Sequence, residues 1–234
     1  MSRLAVAVRL TGELMITLGV IILLFVGYEL KYTNVYTARE QSTLRSGLQQ
    51  SWQAAPAAPA GQSPVLGAAP ASPPVSPPVD LGEGIAILRV PRLGSDWAKV
   101  VVEGVGVEDL KKGPGHYPGT AMPGEVGNFV VSGHRTTYGA PFNRLDEVAT
   151  GDAVVVETRD HWFTYRVTGE QVVAPTAIEV TYAVPGNAQA VPAQAVLTFT
   201  TCNPKYSASQ RLVVHGLLES TQAKSAGVPP ALRS

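Results

Sequence analysis

Between Gly82 and Ser220 the chain is a succession of short β-branched and aromatic runs, each cut off by Gly, Pro or a polar turn, and this pattern restricts the fold more than any other feature. Strands are expected over Ile85–Val90, Ala98–Glu103, Asn128–Ser132, Ala153–Thr158, Trp162–Val167, Gln171–Val173, Ala195–Thr201 and Arg211–Leu218. Thr158-Arg159-Asp160-His161-Trp162 reads as a hairpin turn between two of them. Short helices fit near Asp109–Lys112 and around Pro141–Asp146. Many short strands with few helices over roughly 140 residues point to a small closed or nearly closed β-barrel, large enough to be stable without disulfides. No internal repeat is present, and the tail, 221–234, is expected to be disordered.

What precedes the barrel is of a different kind. Leu14 to Tyr28 carries no charge, and between Arg9 and Lys31 only Glu13 and Glu29 are charged. Including Leu10–Gly12 and Leu30 brings the apolar stretch to the ~20 residues that span a bilayer as a helix. A cleaved signal peptide is the rival, but no convincing small-x-small cleavage site follows the apolar run. Arg3, Arg9 and the α-amino group favour a cytoplasmic N-terminus, whereas Lys31, Arg39 and Arg45 weaken that orientation. A polar connector, compatible with a helix, then runs from Lys31 to Gln53. From Ala54 to Val79 the chain is mostly Ala, Pro, Ser and Gly, which cannot bury a core. At ~3.1 Å per residue such a stretch reaches roughly 80 Å, and it reads as a stalk holding a domain away from a membrane. The division is therefore anchor 1–30, linker 31–81, β-rich globular domain 82–220 and tail 221–234.

The chemistry centres on the single cysteine. Cys202 ends the alternating run Val196-Leu197-Thr198-Phe199-Thr200-Thr201, Asn203-Pro204 breaks the strand after it, and Arg211 opens the next strand nine residues on. A lone cysteine makes no intrachain disulfide, so its use is packing or chemistry. Four histidines compete to partner it. His161 sits in a hairpin tip, His215 lies mid-strand where a packed histidine is the ordinary finding, and His116 occupies the rigid Gly113–Gly119 loop. His134 follows Phe129-Val130-Val131-Ser132-Gly133, a strand ended by glycine, and so reaches a barrel rim where reactive groups are exposed. A thiolate is a nucleophile, an imidazole exchanges protons near neutral pH, and a guanidinium donates to an oxyanion; together they suit acyl transfer through a thioester. The alternative, a buried apolar Cys202 and a surface Arg211, stays open on these residues alone. With 18 basic and 18 acidic side chains the chain has no basic footprint for nucleic acid. No zinc-ligand spacing or phosphate-binding glycine motif occurs, and Asp146, Glu147 and Asp152 read as a solvated loop.

Four blocks resemble the sortase family, specifically its class E type from high-GC Gram-positive bacteria: Gly113-Pro114-Gly115-His116-Tyr117-Pro118-Gly119-Thr120, Gly127-Asn128-Phe129 through Gly133-His134-Arg135, Thr137-Tyr138-Gly139-Ala140-Pro141-Phe142, and Leu197 through Cys202 with Arg211. The resemblance implies an eight-stranded sortase-type barrel on the outer face of the membrane, single-pass, with catalytic His134, Cys202 and Arg211. It further implies cleavage between Thr and Gly of a C-terminal sorting signal on a secreted protein and transfer to a peptidoglycan-precursor amine. Tyr138 matches a loop tyrosine associated with LAXTG-like rather than LPXTG signals, and Thr201 matches the residue before the family cysteine; both are taken as substrate-binding. No cofactor or metal requirement is expected. Many class E members carry histidine after the cysteine, where this chain has Asn203. The rivals are an L,D-transpeptidase, disfavoured because its Cys-x-Arg spacing is absent; a pilin-polymerising sortase using a lysine amine; and a non-catalytic wall-binding barrel.

Overall fold

The computed structural model describes residues 3–54 and 79–233. Strands β1 (Gly84–Arg89), β2 (Ala98–Glu103), β3 (Gly115–His116), β4 (Gly127–Ser132), β5 (Ala153–Glu157), β6 (His161–Val173), β7 (Ala195–Asn203) and β8 (Gln210–Ala223) close into one barrel in the order β1-β2-β3-β4-β7-β8-β6-β5. The closed mainly-β barrel expected from the sequence is what forms. Two pairs are parallel, β2–β3 and β4–β7, and all other neighbours are antiparallel. Parallel neighbours need crossovers. Helix α2 (Val107–Lys112) lies in the first, and the β5–β6 hairpin lies in the second.

The barrel interior is filled by alternate residues of its strands: Ala86 and Leu88, Phe129 and Val131, Val154 and Val156, Leu197 and Phe199, Leu212 and Val214, with Tyr165 and Val167. Phe142 and Leu145, from the segment after β4, belong to the same cluster; the Phe142 ring packs 5.1 Å from Phe199. That segment folds as turns with a 3-10 helix at Leu145–Glu147, somewhat later than the helix expected at Pro141–Asp146.

Ile85 to Leu88 and Val100 to Val102 are apolar at every position and buried at every position. A strand buried on both faces needs a cover, and the cover is the long helix α1 (Arg3–Ala54). Its N-terminal part, Arg3 to Tyr28, has every side chain exposed and contains a candidate membrane span. Its C-terminal part lies on the barrel through one face: Thr33, Thr37 and Leu48 are buried, and Leu48 packs with Ile87 and Val100, flanked by Leu44, Trp52 and Ala98. Polar contacts fasten the same face to backbone. Thr37 Oγ1 donates to Lys111 O (2.7 Å), Gln41 Nε2 to Val100 O (3.0 Å) and Lys112 O (2.9 Å), and Arg45 Nη2 to Ala98 O (3.0 Å); Gln41 Oε1 accepts the Val100 N–H (2.7 Å).

Two expectations change accordingly. The connector beginning at Lys31 is helical and docked, so it, rather than an Ala/Pro-rich stalk, fixes the barrel relative to the apolar segment. Most of that stalk, 55–78, lies outside the described residues. The stretch after Ser220 is ordered where disorder was expected. β8 stays paired with β6 as far as Ala223 opposite His161, and 3-10 turns follow at Lys224–Ala226 and Pro230–Leu232. Lys224 bonds Glu157 (2.8 Å), which also binds Arg89, and its ammonium lies 4.6 Å from the Trp52 ring of α1. The tail thereby closes over both barrel and helix.

Candidate active site

β4 and β7 run parallel, with Ser132 opposite Thr200. The pairing continues one step past β4, because Gly133 N donates to Thr200 O (3.2 Å) and Gly133 O accepts the Thr201 hydroxyl (2.7 Å). His134 therefore leaves β4 at the level of Cys202, one residue before the end of β7. On the other side of β7 the antiparallel register sets Cys202 directly opposite Arg211. Adjacent strands lie ~4.8 Å apart and facing residues share a sheet face, so three neighbouring strands deliver imidazole, thiol and guanidinium to one rim.

Cys202 is half-buried, with its thiol free. His134 is half-buried as well, and burial lowers its pKa below the ordinary imidazole value by disfavouring the charged form. Its ring lies 5.1 Å from that of Tyr138. Arg211 Nη1 donates to Ala208 O and Gln210 O (both 2.9 Å), which folds the β7–β8 connection around the guanidinium. Among the described residues no carboxylate forms an ion pair with it.

The loop from Gly133 to Asn143 is tightly cross-linked. Phe142 N donates to His134 O (3.1 Å), Asn143 Nδ2 to Arg135 O (2.9 Å) and Ala140 N to Thr137 O (2.9 Å). Gly133 is required by close approach: a Cβ there would sit 2.7 Å from Phe142 Cδ2. Gly133→Ala is expected to destabilise the fold by about 1–3 kcal/mol through overpacking. It should also cut turnover roughly tenfold to a hundredfold by displacing His134. Denaturant unfolding and steady-state rates on the same preparation check both.

Thr201, expected to contact substrate, has a buried side chain whose hydroxyl is used on Gly133 O. It ties the two strand ends together. The remaining histidines are occupied elsewhere. His116 is buried, with Nδ1 2.7 Å from Glu103 and Nε2 2.8 Å from Thr120. His215 Nδ1 lies 2.9 Å from Thr198 Oγ1, which itself donates to Asn128 Oδ1, so Nδ1 carries the proton. His161 is exposed at the end of the hairpin. The acidic residues at 146–152 do not pair as a catalytic couple: Asp146 binds buried Arg135 (3.0 Å), Glu147 binds Arg144, and Asp152 caps Ala149 N. No group of three His, Cys, Asp or Glu side chains converges among the described residues. The residues that sequence reasoning missed lie on α1: Asn34 and Thr37 both touch the Tyr138 loop.

A family model described as the sortase domain matches residues 88–219, more than half of the chain. The chain belongs to the sortase family. Sortases are cysteine transpeptidases that anchor proteins to the cell wall. The curated relatives include Sortase SrtE1 of Streptomyces coelicolor, 34% identical over 237 residues, covering 98% of this chain and 62% of that protein. Sortase SrtE2 of the same organism is 32% identical, covering 93% of this chain and 84% of the relative. This sortase thus spans less than two thirds of SrtE1 but most of SrtE2. Among solved structures, sortase E from Streptomyces avermitilis is 46% identical with a TM-score of 0.61, over 66% of this chain and all of that one. Sortase E1 from S. coelicolor with a tripeptide in its active site is 33% identical with a TM-score of 0.60, over 64% of this chain and 97% of the other. The class E resemblance of the four sequence blocks agrees with these relatives.

Proposed function

We propose that this sortase is a single-pass membrane protein, N-terminus inside, whose barrel acts outside the cytoplasmic membrane as a cysteine transpeptidase on LAXTG-like sorting signals. The observation that carries the reading is the strand register that sets His134, just past the end of β4, level with Cys202 on β7 and its β8 partner Arg211 at one rim.

The steps follow from the groups. The Cys202 thiolate attacks the carbonyl carbon of the signal threonine, and the tetrahedral oxyanion accepts hydrogen bonds from Arg211, which can give up a loop carbonyl to do so. As the C–N bond breaks, His134 gives its proton to the departing glycine amine, leaving a thioester. An amine of a peptidoglycan precursor then attacks the thioester while His134 takes up its proton, which restores the thiolate and forms the new amide. The pilin-type alternative differs only in the source of that amine.

The test uses the full chain in detergent micelles with LAXTG and LPXTG peptides and hydroxylamine as acceptor. Cleavage between Thr and Gly, a peptide hydroxamate, and an acyl adduct on Cys202 by intact mass are expected, with the Ala peptide preferred. No cleavage of either peptide by folded protein overturns the enzymatic reading; equal or Pro-favoured rates overturn the role given to Tyr138.

A pH dependence follows. The competent state needs Cys202 deprotonated and His134 protonated, so the rate is bell-shaped, with limbs belonging to the coupled pair. Burial lowers the His134 pKa, which sets the acid limb below that of a solvated imidazole and keeps the competent population small. Opening the ring to water with Tyr138→Ala raises that pKa and is expected to move the acid limb to higher pH. Profiles of kcat/KM for both proteins check this, and an unmoved limb contradicts it.

A further inference from the structure

The Tyr138 loop holds an unusual backbone. Tyr138, Gly139 and Ala140 have φ values of 51°, 71° and 39°, three successive residues in the left-handed region. Only glycine enters that region without penalty, so two of the three positions are strained and need outside support. Part of it is local, from the Ala140 N–H on Thr137 O and the Asn143 N–H on Ala140 O (3.0 Å). The rest comes from α1. Asn34 Oδ1 accepts the Gly139 N–H at 2.9 Å, across 105 residues of sequence. One turn further on, the Thr37 side chain packs against Gly139 so closely that a Cβ there would lie 3.1 Å from Thr37 Cγ2. Thr37 is buried and anchored by its own bond to Lys111 O. Gln41 and Arg45 carry the attachment along β2 and Leu48 completes it.

We propose that Asn34 and Thr37 are positioning residues of the active site: the helix that leaves the membrane holds the Tyr138-Gly139-Ala140 turn in its left-handed form and thereby sets the Tyr138 ring against His134. The proposal rests on the reading that His134 and Tyr138 line the acyl-transfer site. It goes beyond it by assigning part of that site to the anchor helix. Asn34 offers a carbonyl acceptor at a point where the loop exposes an N–H that no strand can pair. When that acceptor is lost the turn relaxes, Tyr138 swings off the imidazole, and both signal discrimination and the hydration of His134 change together.

The experiment compares Asn34→Ala, Asn34→Asp and Arg45→Ala in the full chain in micelles. Asn34→Ala should speed amide exchange at Gly139 roughly two- to tenfold, the range expected for loss of one hydrogen bond. It should also raise the His134 pKa measured by NMR titration, narrow the preference between Ala and Pro peptides, and lower kcat/KM about tenfold. Asn34→Asp keeps an acceptor oxygen and should restore exchange protection and rate. Arg45→Ala cuts one attachment of the same helix away from the loop and should leave exchange, titration and preference as in the wild type. Unchanged Gly139 exchange and His134 titration in Asn34→Ala overturn the proposal, as does an equal effect from Arg45→Ala, which would mean general docking only. Exchange and titration need no turnover, so an inactive wild-type protein would sink the transpeptidase reading while these two readouts still decide the positioning role.

Discussion

Cys202→Ala is expected to abolish acyl transfer, with turnover falling roughly 10⁴-fold or more, since no other group in the rim can form the thioester. The thiol lies one residue before the end of β7 and is half-exposed, so stability should stay within about 1 kcal/mol of the parent. The barrel then remains intact around a missing nucleophile. Peptide cleavage followed by chromatography, with intact mass in place of a covalent trap, reads both consequences: no product and no adduct. Retained cleavage in the alanine variant would assign the nucleophile elsewhere. Parent and variant that bind signal peptide equally and cleave none would describe a wall-binding barrel instead.

Arg211→Ala is expected to cost roughly 10²–10³ in kcat, the scale of a lost oxyanion donor. The register makes this residue the cross-strand partner of Cys202. Its fork has a second duty in holding Ala208 O and Gln210 O, and the alanine variant removes both functions. Arg211→Lys separates them, because an ammonium supplies the charge but not a planar fork that serves a loop carbonyl and an oxyanion at once. The lysine variant should recover part of the loss. Equal falls in kcat and kcat/KM mark an interaction made only in the transition state; a rise in KM at constant kcat would make Arg211 a substrate clamp.

Much of the barrel was legible because its strands carry regular patterns. Ala98–Glu103 is bounded as expected, and the Thr158–Trp162 turn forms where the polar residues stand. β3 was missed because Gly115–His116 is two residues long and has no periodicity to read. β6 was read as two runs because Thr168-Gly169-Glu170 interrupts the apolar pattern; the strand absorbs the interruption as a bulge between Val167 and Gly169. β8 was cut short at Leu218 because a bulge at Glu219 follows, and the polar residues Ser220 to Gln222 keep their ladder with β6 without a core-facing apolar row. In the site, His134, Cys202 and Arg211 were legible as strand-end residues, and the structure brings their strands together. Asn34 and Thr37 were not, because the part of the α1 interface that meets the loop is built from Asn, Thr and Gln hydrogen bonds, and the apolar stripe of Leu44, Leu48 and Trp52 lies further along the helix. The usable signal lay on the other partner: Ile85–Leu88 and Val100–Val102 have no polar alternation, and a barrel wall that is apolar on its outside announces a cover.

The helix also works as a ruler and a compass. α1 runs unbroken from the apolar stretch onto the barrel, so on the proposed topology there is no swivel between bilayer and catalytic rim. Asn34 lies four residues beyond Leu30, about 6 Å along a helix axis at 1.5 Å per residue, within the roughly 5–7 Å depth of one headgroup layer. On that topology the Tyr138 turn is held at the lipid surface with one fixed heading. A substrate itself tethered to the bilayer would meet such a rim by diffusing in two dimensions, while a free peptide must find it from three. A rate measured with soluble peptides would then understate how often the rim is filled on a membrane.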